Sequence, residues 1–171
     1  MRSCRGRRGS SMVEFTFAGI ASIFLLISTV EVSRGMWNYH TVAYAVREGA
    51  LYASVHGVGC TNPGNSCSIT VGNIANQIAG AGIGLDSTQL NVTFTTNSGA
   101  TTNCNPLTSC FSNSTVWPPA TNNDNAEGGS VTISANYNFQ SALAVFWPGA
   151  SSNPSFGSIS FPASSTQIIM Y

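Results

Sequence analysis

Residues 12–30 read MVEFTFAGIASIFLLISTV, and this run decides the fold. It is apolar apart from Glu14 and a few small hydroxyl residues. In helical form the run spans roughly 28 Å, close to the bilayer hydrocarbon thickness of about 30 Å. An ordinary core helix would show a polar face, and this stretch has none. The reading is a transmembrane helix over residues 10–30. A cleavable secretory signal peptide also begins basic and turns apolar. Here, however, an acidic residue opens the run and no small-x-small cleavage site follows it. The chain continues in helical register through Glu31, Val32, Ser33 and Arg34.

Charge supports this orientation and excludes other classes. Of the 171 residues only 7% are charged, against about a quarter in an average soluble domain. The basic residues are all arginines, and Arg2, Arg5, Arg7 and Arg8 precede the apolar run. Arginines beside a membrane segment hold that end in the cytoplasm. From Gly57 onward the only charged residues are Asp86, Asp124 and Glu127. Such a domain has no cations with which to neutralise phosphates, so nucleic acid is not an expected partner.

Beyond the membrane run, residues 31–56 read as an amphipathic extension of the same helix. Val32, Met36, Tyr39, Ala43, Val46, Ala50 and Ala53 recur at spacings of four and three, which is one apolar stripe. Glu31 and Arg34 are placed for an i,i+3 pair worth a few tenths of a kcal/mol. Glycine at position 57 suits a C-cap, so the helix is predicted to end near His56. Its length over residues 12–55 would be about 66 Å.

Glu14 requires a partner, because a carboxylate at mid-membrane costs about 2.5–3.5 kcal/mol, less near an end. Gly9, four residues, Glu14-Phe15 and then an apolar helix resembles the prepilin cleavage motif of type IV pilins. Glu31-x-x-Arg34 followed by Ala45-Val46-Arg47-Glu48-Gly49-Ala50 is similar to the TadE-like pseudopilins of tight-adherence pilus systems. Those proteins commonly carry an aromatic after the first glutamate, where this chain has Val32, and alanine where it has Val46. The resemblance covers about residues 9–53. It implies that residues 1–9 are a leader, cut after Gly9 by a prepilin peptidase to leave Ser10 as the new N-terminus. It also implies that Glu14, with Phe15 beside it, is an assembly residue that pairs with a neighbouring subunit's free amine. The implied partners are the membrane, other pilin or pseudopilin subunits, the peptidase and the assembly machinery. The implied location is the bacterial inner membrane, crossed once, with the C-terminal domain periplasmic or carried to the pilus and cell surface. Arg47 and Glu48 are open to two readings, a solvated charge pair or a subunit contact.

Residues 57–171 read as a secreted α+β domain. Cys60, Cys67, Cys104 and Cys110 form an even set in a Ser/Thr/Asn-rich region, a disulfide pattern for an oxidising compartment. Four cysteines allow three pairings. Cys60 with Cys67 and Cys104 with Cys110 are favoured because each would pin a loop locally, while cross-pairing stays open. The spacings are wider than those of structural zinc sites. Val71, Ile74, Ala75 and Ile78 have helical spacing. Leu90, Val92 and Phe94 alternate with polar residues, as do Val131, Ile133, Ala135, Tyr137 and Phe139, so two strands are expected. A last strand near Ile159 and Phe161 should be interrupted at Pro162. Residues 97–129 read as an exposed loop stapled by Cys104 and Cys110. Residues 142–154 read as an insertion whose Phe146, Trp147 and Pro148 are either exposed contacts or tucked aromatics.

The expected fold is therefore α+β and pilin-like, a long N-terminal transmembrane and amphipathic helix packed on a small antiparallel sheet. No catalytic, cofactor or metal constellation stands out. His40 and His56 have no ligand partners at suitable spacing, and Asp86, Asp124 and Glu127 read as solvated loop carboxylates, although Asp124 and Glu127 could be spaced as a glycosidase pair. The leading function is a structural or assembly component of a tight-adherence pilus. The alternative is a membrane-tethered, adhesin-like module acting through the 97–129 loop.

Overall fold

The computed structural model describes residues 8–57, 68–142 and 157–170. Cys60 and Cys67, the leader up to residue 7, and Phe146, Trp147 and Pro148 lie outside the described residues.

The long helix α1 (Arg8–Ser54) has 47 residues, about 70 Å of unbroken rod. Gly9 and Ser10 fall in its first turn. It ends at Ser54, close to the end expected near His56. The His56 Nδ1–H donates to Tyr52 O at 2.6 Å, and Met170 N–H donates to Ser54 O at 3.0 Å. These donors take up carbonyls that the helix end leaves free.

A second helix, α2 (Val71–Ala81), starts with a capping box between Thr70 and Asn73 and buries Val71, Ile74, Ala75 and Ile78. Four strands follow: β1 (Leu90–Thr96), β2 (Thr101–Cys104), β3 (Ser130–Gln140) and β4 (Ser158–Ile168). They form one antiparallel sheet in the order β2-β1-β3-β4. Alternation places Leu90, Val92 and Phe94 of β1 and Val131, Ile133 and Ala135 of β3 on the buried face. The opposite face carries Thr93, Thr132, Ser134 and Asn136, paired across strands through hydroxyl and amide groups. α1 lies on β3 and β4 with α2 beside it. The fold is thus α+β, with one sheet face sealed by the upper part of the long helix.

Three expectations change. First, the predicted stripe is buried only in its upper part, at Val46, Ala50 and Ala53, and below that the packed line is displaced. The buried positions are Gly35, Asn38, Val42, Ala45, Val46, Gly49, Ala50 and Ala53, whereas Val32, Met36, Tyr39 and Ala43 are exposed. Small residues let the helix axis approach the sheet, and size outweighs hydrophobicity in choosing the seam. A Cβ on Gly49 would lie 2.5 Å from Ile78 Cγ1, so α2 fits against α1 only because that position has no side chain.

Second, β4 runs through Pro162 without interruption, pairing Pro162 with Asn136. Asn138 N–H donates to Gln89 O, so the even-numbered residues of β3 turn their backbone groups toward β1. Asn136 and Pro162 are therefore a non-hydrogen-bonded pair, and the nitrogen without a proton faces the open edge of the sheet.

Third, residues 97–129 are not an exposed loop. They contain β2, the short 3₁₀ turns Leu107–Cys110 and Thr121–Asn123, and the buried side chains of Cys104, Leu107, Cys110 and Trp117. Cys104 and Cys110 are joined by a disulfide with their Cα atoms 5.6 Å apart. The segment also caps α2, because Val71 N–H donates to Thr115 O and Gly72 N–H to Asn113 O. A Cβ on Gly72 would lie 2.8 Å from Phe111 O, so glycine permits that backbone contact.

Candidate functional site

The functional surface is α1 itself, and it divides at Glu31. Below that residue nothing among the described residues covers the helix. Met12, Phe15, Phe17 and Leu25 are all exposed, and none of the most apolar window is buried within the protein. The helix is long and apolar enough to cross a membrane and fits a single-pass membrane protein. Its few hydroxyls suit that solvent. Thr16 Oγ1 donates to Met12 O, Ser22 Oγ to Ala18 O and Thr29 Oγ1 to Leu26 O, each at 2.8–2.9 Å. Their protons are thus taken up by the preceding turn instead of facing hydrocarbon. Glu14 stands on this uncovered part beside Phe15.

At Glu31 the character of the helix changes within one turn. The Arg34 guanidinium bonds Glu31 Oε1 at 3.2 Å through Nη1 and donates through Nη2 to Gln140 O at 3.2 Å. Glu31 Oε2 accepts from Ala142 N–H at 3.2 Å. The guanidinium carbon also sits 4.9 Å from the centroid of the Phe139 ring. The pair predicted from i,i+3 spacing is therefore a clamp that ties the foot of β3 to the helix where the apolar run ends.

Above the clamp, Val42, Val46 and their small neighbours face the sheet, while Met36, Trp37, Tyr39 and Tyr44 are left exposed. Arg47 is exposed and Glu48 half-buried, and among the described residues the one ion pair is that of Glu31 with Arg34. His40 touches Tyr39 edge-on, and His56 serves the helix end and packs on Tyr52. No three His, Cys, Asp or Glu among the described residues come together as a metal site.

Residues 9–51 match the family model described as TadE-like protein. No curated protein and no solved structure matches the chain. The TadE-like segment begins at the proposed cleavage glycine, takes in Glu14, Glu31, Arg34, Arg47, Glu48 and Gly49, and ends inside the last turns of α1. It is therefore a helix signature that stops before the sheet domain. Within it, Gly49 has a packing explanation against Ile78, Glu31 and Arg34 have one in the β3 clamp, and Arg47 stays on the outer surface of the TadE-like helix.

The distal carboxylates are structural. Asp124 is only 2% exposed, in contrast to the solvated loop residue expected from sequence. It accepts from Thr96 Oγ1 at 2.7 Å, from Ser98 N–H at 3.0 Å and from Ser98 Oγ. Burial pushes its carboxyl up, but the three hydrogen bonds together outweigh burial and the net direction is down. Asp86 is held below the ordinary carboxylate range by the Thr88 hydroxyl and N–H. Glu127 is exposed, whereas Asp124 is already engaged as a latch between the β1 turn and the 121–123 turn, so the two do not form a facing acid pair. The latch and the reach of the clamp to Gln140 and Ala142 had no local sequence signal, because their partners lie 26 to 111 residues away.

Proposed function

We propose that this chain is a minor pilin or pseudopilin, a structural or assembly component of a tight-adherence, type IV-like pilus with no enzymatic role. It is anchored in the bacterial inner membrane by α1, with its N-terminus cytoplasmic and its sheet domain periplasmic. The observation that carries this reading is the division of one unbroken helix. Within the segment that matches the TadE-like model, the lower part is bare and apolar among the described residues, and the upper part is sealed by the chain's own sheet. A bare stem has to be covered by lipid or by other stems, and a sealed head can be displayed without refolding.

In this reading a prepilin peptidase cuts after Gly9 and exposes the amine of Ser10. A neighbouring subunit's Glu14 carboxylate then pairs with that amine, which offsets the cost of holding each charge in hydrocarbon. Lateral packing of stems follows, with Glu14 setting the register.

The test has two parts. Mass spectrometry of the mature chain should find Ser10 as its first residue. The Glu14→Ala variant should still be processed but should give no pili by electron microscopy of the cell surface. A mature chain starting before or well beyond Ser10, or normal pili in the variant, would overturn the proposal.

A further inference from the structure

A cleft of about 520 Å³ lies between α1 and the lower corner of the sheet, lined chiefly by Val32, Gly35, Met36, Phe139, Ile159 and Phe161. Val32, Met36 and Ile159 are each more than half exposed, an unusual placement for large apolar side chains grouped in a concave surface. The height of this cleft is fixed by the helix. The apolar run ends at Val30 and the Glu31 and Arg34 charges follow it, so this is where hydrocarbon gives way to headgroups. The headgroup layer adds roughly 5–7 Å beyond the hydrocarbon on each side. Along an unbroken helix Val32 is about 3 Å and Gly35 about 8 Å above Val30. The sheet side is at the same level, because Arg34 stacks on Phe139 and Gly35 faces Phe161, and Ile159 pairs with Phe139. The clamp through Gln140 and Ala142 holds that corner down against the helix.

We propose that this cleft is a lipid site, occupied by the glycerol end of an acyl chain drawn up out of the hydrocarbon of the leaflet in which α1 is anchored. The inference rests on the membrane-anchored reading of α1 and adds to it a second contact, by which the sheet domain sits on the bilayer instead of standing off on a bare stalk. The lining is mostly apolar, with Glu31 and Ser141 its main polar members, so recognition requires hydrocarbon and not a particular headgroup charge.

The test uses the full chain in phosphatidylcholine vesicles with the photo-crosslinker p-benzoylphenylalanine placed at one position at a time. Val32 and Ile159 probe the cleft from the helix and from the sheet. Leu25 reports the span, and Val116, which is half exposed near the far end of α1, reports the distal domain. Mass spectrometry should find lipid adducts at Val32, Ile159 and Leu25 and none at Val116. A lipid adduct at Leu25 with none at Val32 and Ile159 would overturn the lipid site while leaving the anchor intact. So would adducts at both cleft positions to a second copy of the chain in place of lipid. Absence of lipid at Leu25 would overturn the anchor itself and this inference with it. Two independent cleft positions guard against one variant misfolding.

Discussion

Gly49 and Asp124 show how single residues hold the head together. Alanine is favoured over glycine inside a helix by about 1 kcal/mol. At position 49 that gain is opposed by a Cβ 2.5 Å from Ile78, and overpacking of a buried contact costs about 1–3 kcal/mol. The Gly49→Ala variant should therefore melt at a lower temperature than the parent, followed by circular dichroism in detergent. Gly19→Ala, where nothing lies within 4 Å to oppose the helical preference for alanine, should not lower the melt. Asp124 brings a pH dependence. Its folded pKa is lowered below 3.8, so the stability it contributes is fully present above that value. That stability is lost as the pH falls through the folded value, and acid melts should show it. Asp124→Asn should remove about 2 kcal/mol, the scale of hydrogen bonds to a buried charged group, and flatten the pH dependence below about pH 4.

At the scale of elements, α1 is assembled from two kinds of surface, and the Glu31 clamp marks the change. Arg34 is half exposed, so the ion pair should contribute no more than about 1 kcal/mol to global stability. Its effect is local. The Glu31→Ala variant should keep a near-parental melting temperature but speed amide exchange at Ala142, whose N–H loses its acceptor. Hydrogen-exchange mass spectrometry over residues 138–142 would detect this, and a large loss of global stability would show that the clamp carries more than local order. The displaced apolar stripe belongs to this scale as well. Periodicity found a helix with one packing face and placed Val46, Ala50 and Ala53 on it correctly, but lower down it selected Val32, Met36 and Tyr39 where Gly35, Asn38 and Val42 are the buried positions. Hydrophobic patterning registers transfer energy and is blind to how closely two backbones approach. On this helix the small residues set that distance.

For the whole molecule, the edge of the sheet is a further point of control. Among the described residues β4, of eleven residues, has no strand beyond it, and an open edge invites pairing with another chain. Pro162 removes one donor from that edge by turning a nitrogen without a proton outward, while the strand itself stays continuous. Pro162→Thr would restore that donor, and the variant should self-associate more than the parent in analytical ultracentrifugation of the full chain in detergent. The sequence by itself determined the membrane-length apolar run, the length of the stem, the TadE-like resemblance, α2, and the strands β1 and β3, because each is written in local periodicity and composition. Only the tertiary structure decided which face of α1 meets the sheet, that residues 97–129 fold inward around Leu107 and Trp117, that Asp124 is a buried latch, and that Glu31 and Arg34 hold the foot of β3. The physical reason is common to all four. Each depends on contacts between residues distant in the chain, where steric fit and hydrogen-bond partners are set by what the rest of the fold brings alongside.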